Sequence, residues 1–447
     1  MPIVSNSLWY ARFFFLFMSW YFSWSKLFDF SFRLLLILLP FTVFLTVFSQ
    51  FLWFSGWSLY KELVLIFMGI ILWFDCIQKR RFPKIGILDW MIGGYIVYLI
   101  FISLFTTGIQ GIIYGGRYDF EFIIAFWILY HGAYLLPKNF TYYLKIFLLS
   151  WGWAIFLGFC VRFIFGEDIL LYFWFSWNPS SWQFGSSVPI FHGIDTANIR
   201  RFQGIFDGPN SAAAFILLYI GIFVYFLRTK KDWHFLVGVW VFFLLGLLFL
   251  TYSRSWMIGF FVWFISVVIF SFSTLYKKYR FQSGIVGILA LFIFGILFLR
   301  YGWAWQGAIT VRAWSSKWHI ERMATGWNNF IEQPWGHGLW FAGPGYRYLI
   351  PDMNSKNATE VEILDRKYIP ESWFIQQLEE GGVIALFLFL AIMTIIAYHL
   401  LQIHSVLFGM FISILCMNFF LHTFESAYFS LLLFLLIGLV LGKFRKS

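Results

Sequence analysis

Arginines and carboxylates with the makings of a phosphate-handling site fall in five short segments of this 447-residue chain. IRRFQGIFDGPNSAAAF (199–215) carries Arg200 and Arg201 ahead of Gly208-Pro209 and Asn210, and TYSRSWMIG (251–259) carries Ser253 and Arg254. ERMATGWNNFIEQPWGHGLW (321–340) carries Arg322 and Trp327, YIPESWFIQQLEEGGVIALFLF (368–389) carries Glu371, and HTFES (422–426) carries Glu425. The planar fork of arginine grips two phosphate oxygens at once and stays charged. Arg201 and Arg254 are therefore candidates to hold a diphosphate, with Arg200 a rival to Arg201 and Arg322 a third contact. A carboxylate beside them suits the removal of a hydroxyl proton, Glu371 first and Glu425 second. Plainer roles fit the same residues: snorkelling arginines at a membrane interface, helix capping by Asn210 or Ser211, and a carboxylate favoured by a helix N-terminus. His319 and His337 read as surface histidines.

The elements that must position these groups are membrane helices. Of the residues 61% are hydrophobic and only 12% charged, about half the charge a soluble surface needs. Apolar runs of about 20 residues recur along the chain, each long enough to cross a bilayer. The net charge of +11 comes in short basic clusters between them: Lys79, Arg80, Arg81 and Lys84; Arg228, Lys230 and Lys231; Lys277, Lys278 and Arg280; Lys443, Arg445 and Lys446. That is the pattern of cytoplasmic loops, not of a nucleic-acid surface. The three cysteines, Cys76, Cys160 and Cys416, lie far apart and suggest neither a disulfide framework nor a metal site.

With the basic clusters inside, spans fall near 34–54, 59–77, 87–106, 119–136, 144–164, 208–227, 234–250, 256–273, 283–299, 383–401, 405–420 and 427–442. The expected fold is all-α and polytopic, with about twelve transmembrane helices. Residues 1–33 form an interfacial or extra anchoring helix, and 34–299 a bundle of nine spans with an outer loop at 165–207. A large extracytoplasmic loop follows at 300–382, then three C-terminal spans and a basic tail over 383–447. Parity puts every candidate site residue on the outer face. Apolar residues at Trp314, Trp318, Met323, Trp327, Phe330 and Ile331 predict an amphipathic helix lying on the membrane surface. Glu379-Glu380-Gly381-Gly382 predicts a helix break before the next apolar run.

In order and spacing these segments resemble the O-antigen ligase and polymerase superfamily. The resemblance rests on RFQGIFDGPN (201–210), SRS (253–255), Arg322 with Trp327, PWGHG (334–338) and LEEGG (378–382); the first 195 residues share only hydropathy with it. It implies a glycosyltransferase of the cytoplasmic membrane whose active site faces the periplasm or cell exterior. The implied partners are a polyprenyl-diphosphate-linked glycan donor, a glycan or lipid-linked acceptor, membrane lipids, and a chain-length regulator or flippase. No cofactor is implied, and arginines take the place of a divalent metal. Glu371-Ser372 stands where ligases of the family usually carry His-Asn, with the His thought to be the base. That difference favours a polymerase over a ligase. A lipid-linked oligosaccharide transporter is the alternative from another class, and these spans carry little of the mid-depth charge it needs.

Overall fold

The computed structural model describes residues 23–51, 59–80, 82–173, 175, 193–194, 199–228, 234–275, 313–343, 369–421 and 423–444. Within them the chain is helical apart from one two-residue antiparallel pair, β1 (Gly193–Ile194) with β2 (Ile199–Arg200). Helix α1 (Trp24–Leu38) passes through a 3-10 turn at Pro40 into α2 (Thr42–Phe51). Then come α3 (Tyr60–Lys79), α4 (Ile87–Phe105), α5 (Gly108–Asp119), α6 (Glu121–Gly132) and α7 (Phe140–Cys160). After the strands follow α8 (Pro209–Arg228), α9 (His234–Leu250), α10 (Arg254–Leu275) and α11 (Ala313–Glu332). The last are α12 (Trp373–Ile403), α13 (Ser405–Met417) and α14 (Ala427–Phe444).

Among the described residues, six helical segments are long and apolar enough to cross a membrane: Trp24–Val47, Ile87–Phe105, Phe140–Phe165, Pro209–Phe226, Trp373–Ile403 and Ala427–Phe444. Glu121–Leu135, Val239–Leu250, Arg254–Ile269 and Ser405–Met417 are apolar but shorter. Outward faces carry large apolar side chains, such as Trp90 and Phe105 on α4 at 72% and 76% exposure. A surface of that kind belongs in lipid.

Polar contacts sort the helix ends into two groups. At one end Trp24 Nε1 donates to Gln78 Oε1 at 2.8 Å, and Lys443 Nζ donates to Leu136 O at 2.6 Å. The start of α1 and the ends of α3, α6 and α14 therefore meet. At the other end buried Lys61 reaches Glu62 at 2.7 Å and Glu121 at 2.9 Å, joining the starts of α3 and α6. Buried aspartates near the first end are also partnered: Asp29 accepts from Tyr143, and Asp75 from Tyr134. An ionisable group inside an apolar bundle persists only with such partners.

Helix α14 is the centre of the bundle and lies parallel against α6. Gly438 and Gly442 form a G-x-x-x-G stripe on it, and a Cβ on either would stand 2.6 Å from the carbonyl oxygen of Phe126 or Tyr130. Small residues four apart let two backbones approach this closely, the usual way helices associate in lipid. Aromatic rings fill the rest of the seam, Phe434 meeting Phe122 at 4.7 Å between centroids.

Several expectations shift. The first apolar helix starts at Trp24, ten residues before the expected 34, because Asp29 pairs with Arg33 one turn on and accepts from Tyr143. The expected span 119–136 is α6, preceded by an unforeseen short helix, α5. Helix α12 begins at Trp373, ten residues ahead of the expected 383, and bends at Gly382. Residues 1–22, the expected span 283–299, and much of the expected loops 165–207 and 300–382 lie outside the described residues.

Replacing Gly438 with Leu should destabilise the protein by on the order of 3 kcal/mol, since the seam has no room for a side chain. Gly246→Leu on α9, where a Cβ meets nothing within 4 Å, should melt like the wild type. Thermal unfolding in detergent reads both.

Candidate functional site

The site is built on the bend in α12. In a continuous helix the carbonyl of Glu379 would accept from the N–H of Val383. Here Gly382 turns to φ +65°, and Val383 N donates instead to Pro334 O at 3.1 Å. The loop PWGHG fills the gap: His337 N donates to Glu379 O and Gly338 N to Glu380 O, both at 2.8 Å. Gly336 must be glycine, because at φ +98° a Cβ would stand 2.5 Å from Glu380 O. The paired glycine motifs are thus two halves of one backbone junction.

Beneath it, Glu380 Oε1 accepts from Trp340 N at 3.0 Å and Ala342 N at 3.2 Å. Its carboxyl also lies against that of Asp119 at the end of α5. Asp119 accepts from Gln377 Nε2 at 2.9 Å, and Gln377 from Tyr95 at 2.6 Å. The network fixes the loop 334–343 to α4, α5 and α12. His337 stacks on Phe341, 3.9 Å between centroids, and burial holds its imidazole below the ordinary histidine range.

The first two arginine segments meet directly. Phe202 N donates to Leu250 O at 2.7 Å, and Arg201 Nε to Thr251 O at 2.8 Å. The same guanidinium reaches Asn210 Oδ1 at 2.9 Å. So Asn210 does not cap α8: the helix starts at Pro209, and the Asn210 side chain orients Arg201. Ser253 is buried on Ser255 in the turn that delivers Arg254 as the first residue of α10. Arg200 diverges from Arg201. It is half exposed and lies 3.9 Å from both Glu167 and Asp168, with Arg162 on Glu167 at 2.6 Å. Burial pushes the Glu167 carboxyl up, against the pull of those arginines.

Four helix starts gather here. Arg201 precedes α8 and donates to the Thr251 carbonyl, just past the end of α9 and three residues ahead of α10. Trp373 N, opening α12, donates to Asn418 O at 3.0 Å, and Asn418 Oδ1 accepts from Phe424 N just ahead of α14. Asp207, just ahead of α8, lies beside Tyr428 in the first turn of α14. Each start presents backbone N–H groups and the positive end of a helix dipole. These starts and the two arginines offer donors to an anion, beside the carboxyl ends of α9 and α13, whose carbonyls at Thr251 and Asn418 are taken by Arg201 and Trp373.

The third group lies where α11 packs on α12. His319, Arg322, Gly326 and Asn329 recur at helical spacing along one face of α11. Asn329 Nδ2 donates to Glu379 Oε1 at 2.7 Å, His319 Nδ1 lies 3.2 Å from Glu371 Oε2, and Arg322 lies 3.5 Å from Glu371 Oε1. Glu371 itself has φ +54°, a conformation uncommon outside glycine. Arg322 thus lies against the candidate base. Trp327 is not brought to this cluster. It stands 48% exposed with Ile320 and Ile331 on the outward stripe of α11. The amphipathic helix is therefore present, with its polar face on the protein and an apolar stripe outward. The backbone of Glu425 closes a 3-10 turn between α13 and α14, but its side chain lies outside the described residues.

Sequence reasoning set His319 aside as a surface histidine, although its spacing from Arg322 puts both on one helix face. It also missed Asp119, whose contact with Gln377 spans 258 residues and leaves no local signal. No family model matches the chain, and no curated protein matches it. The functional reading rests on the chemistry of these residues and on the resemblance of their segments.

Arg201→Lys should keep the charge but lose the fork that ties Thr251 to Asn210, lowering stability by about 1–3 kcal/mol. Arg200→Ala should change it by less than about 1 kcal/mol, as for other exposed pairs. Melting temperatures of the two variants in detergent separate the roles.

Proposed function

We propose that this chain is a glycosyltransferase of the cytoplasmic membrane that polymerises polyprenyl-diphosphate-linked oligosaccharide repeat units on the extracytoplasmic face. In this reading about twelve helices cross the bilayer, and residues 165–207 and 300–382 lie outside. The observation that carries it is the docking of the Arg201 segment onto the Arg254 turn, at an end where four helices begin. The end with Lys79 and Lys443 is the opposite one, which accords with basic residues inside.

The reaction needs two things. Charge developing on the departing diphosphate must meet fixed cations, and the attacking hydroxyl must lose its proton. Arg201 and Arg254 meet the first need, with the helix dipoles behind them. Arg200, half exposed beside Asp168, is the outer rim of the same anion surface. The Glu371 cluster meets the second, with Arg322 holding the carboxylate. The exposed apolar stripe of α11 seats that helix at the lipid interface, where the polyprenyl chain of the donor runs.

Topology is testable in a background lacking Cys76, Cys160 and Cys416. Cysteines introduced at Asp168 and Glu321 should react with a membrane-impermeant thiol reagent in intact cells, and one at Lys84 should not. The reverse pattern would move the site to the cytoplasmic face.

The chemistry is testable with purified lipid-linked repeat units as the sole substrate. A ladder of longer lipid-linked chains is expected, unchanged by EDTA. Transfer only after a separate lipid or protein acceptor is added would identify a ligase instead, and donor that crosses the bilayer unextended would identify a transporter. Arg254→Lys should lower turnover by about 100-fold or more, the usual scale for one transition-state charge contact. Full activity in that variant would remove the case for bidentate recognition.

A further inference from the structure

We propose that His319 is the catalytic residue that accepts the hydroxyl proton, and that Glu371 is the residue that positions it; this rests on the glycan-transfer reading above. Both oxygens of Glu371 are engaged, Oε2 with His319 Nδ1 at 3.2 Å and Oε1 with Arg322 at 3.5 Å. A carboxylate gripped in this way orients its partners. With Nδ1–H donating to Oε2, the imidazole is held in the tautomer whose Nε2 carries a lone pair. The side chain of His319 keeps 32% of its surface exposed, so an acceptor sugar can reach that nitrogen.

The backbone supports the assignment. Glu371 follows Pro370 and adopts φ +54°, a strain of roughly 1–3 kcal/mol that commonly persists at functional positions. That conformation turns the carboxylate toward α11 just before α12 begins at Trp373. On α11, His319 and Arg322 stand three residues apart and so face Glu371 together. Asn329, on the same face, anchors the helix to Glu379.

The step balances without any other reactant. The acceptor hydroxyl oxygen forms a bond to the anomeric carbon, and the bond from that carbon to the diphosphate oxygen breaks. Its electron pair leaves with the diphosphate, which is held by Arg201 and Arg254. The hydroxyl proton passes to His319 Nε2, and Glu371 stabilises the imidazolium until the proton is lost to water.

The test uses the full-length chain in lipid vesicles with polyprenyl-diphosphate-linked oligosaccharide as donor and acceptor. His319→Gln should lower kcat by about 10²–10⁴-fold, the usual share of a general base, with donor KM changed less than about threefold. Glu371→Gln should lower kcat while donor KM stays within about threefold, and Glu371→Asp should restore part of the loss, because a carboxylate there positions the imidazole. His319→Ala should regain activity when imidazole is added, which a merely structural role would not allow. A His319→Gln enzyme within about threefold of wild type would overturn the assignment and make Glu371 the base. A wild-type chain that forms no glycosidic bond would overturn the glycan-transfer reading, and this proposal with it.

Discussion

The structure depends on one backbone junction. A helix interrupted among apolar neighbours exposes N–H and C=O groups with no water to satisfy them, and each left unpaired costs several kcal/mol. Helix α12 is interrupted at Gly381-Gly382, and the loop 334–338 supplies the missing partners. Carbonyls of Glu379 and Glu380 take the N–H groups of His337 and Gly338, while Val383 N takes Pro334 O. The loop cannot leave without uncovering these groups, and the bend cannot straighten without clashing with the loop. Everything that the chain brings between Ala313 and Phe341 is positioned by that mutual dependence.

Two consequences follow. Because the bend is held, the first turns of α12 form a separate platform above the apolar run, buried at Glu379 and Glu380 and accessible at Glu371. Because the loop is held, α11 ends at a fixed place and its polar face lands on that platform. The carboxyl pair of Asp119 and Glu380 extends the restraint to α5, and Gln377 with Tyr95 extends it to α4. The Glu371 cluster is therefore rigid from below, while its upper side opens outward.

The arginine half has a different foundation. Arg201 is fixed by a carbonyl at the end of α9 and by Asn210 inside α8, so the guanidinium is a joint between two helices as well as a charge. Lysine has one point of attachment and cannot make that joint. Arg201 and the Glu371 cluster thus sit on separate supports, linked through Asn418 and the turn that carries Phe424. In the proposed transfer one support serves the leaving diphosphate and the other the acceptor hydroxyl.

How much of this was legible beforehand follows from the range of each interaction. The sequence determined that apolar helices of membrane-crossing length recur along the chain, since bilayer thickness imposes a run length that a window of the chain reveals. It determined the glycine break at 381–382 and the amphipathic character of 313–332, which are local matters of φ freedom and of spacing around a helix. Whether Asn210 caps a helix or holds an arginine was not decided locally, because Thr251 had to arrive first. The direction in which α11 presents its faces was equally undecided. Its tryptophans suggested an apolar face turned to the membrane, but not that His319 and Arg322 would meet Glu371 on the other. The starting point of α12 moved for the same reason: Trp373–Gly382 is polar in part, and only partners from other helices make it a stable helix. Tertiary structure decided these points because a buried polar group takes whichever partner packing delivers, and hydropathy carries no record of partners that lie more than 200 residues away.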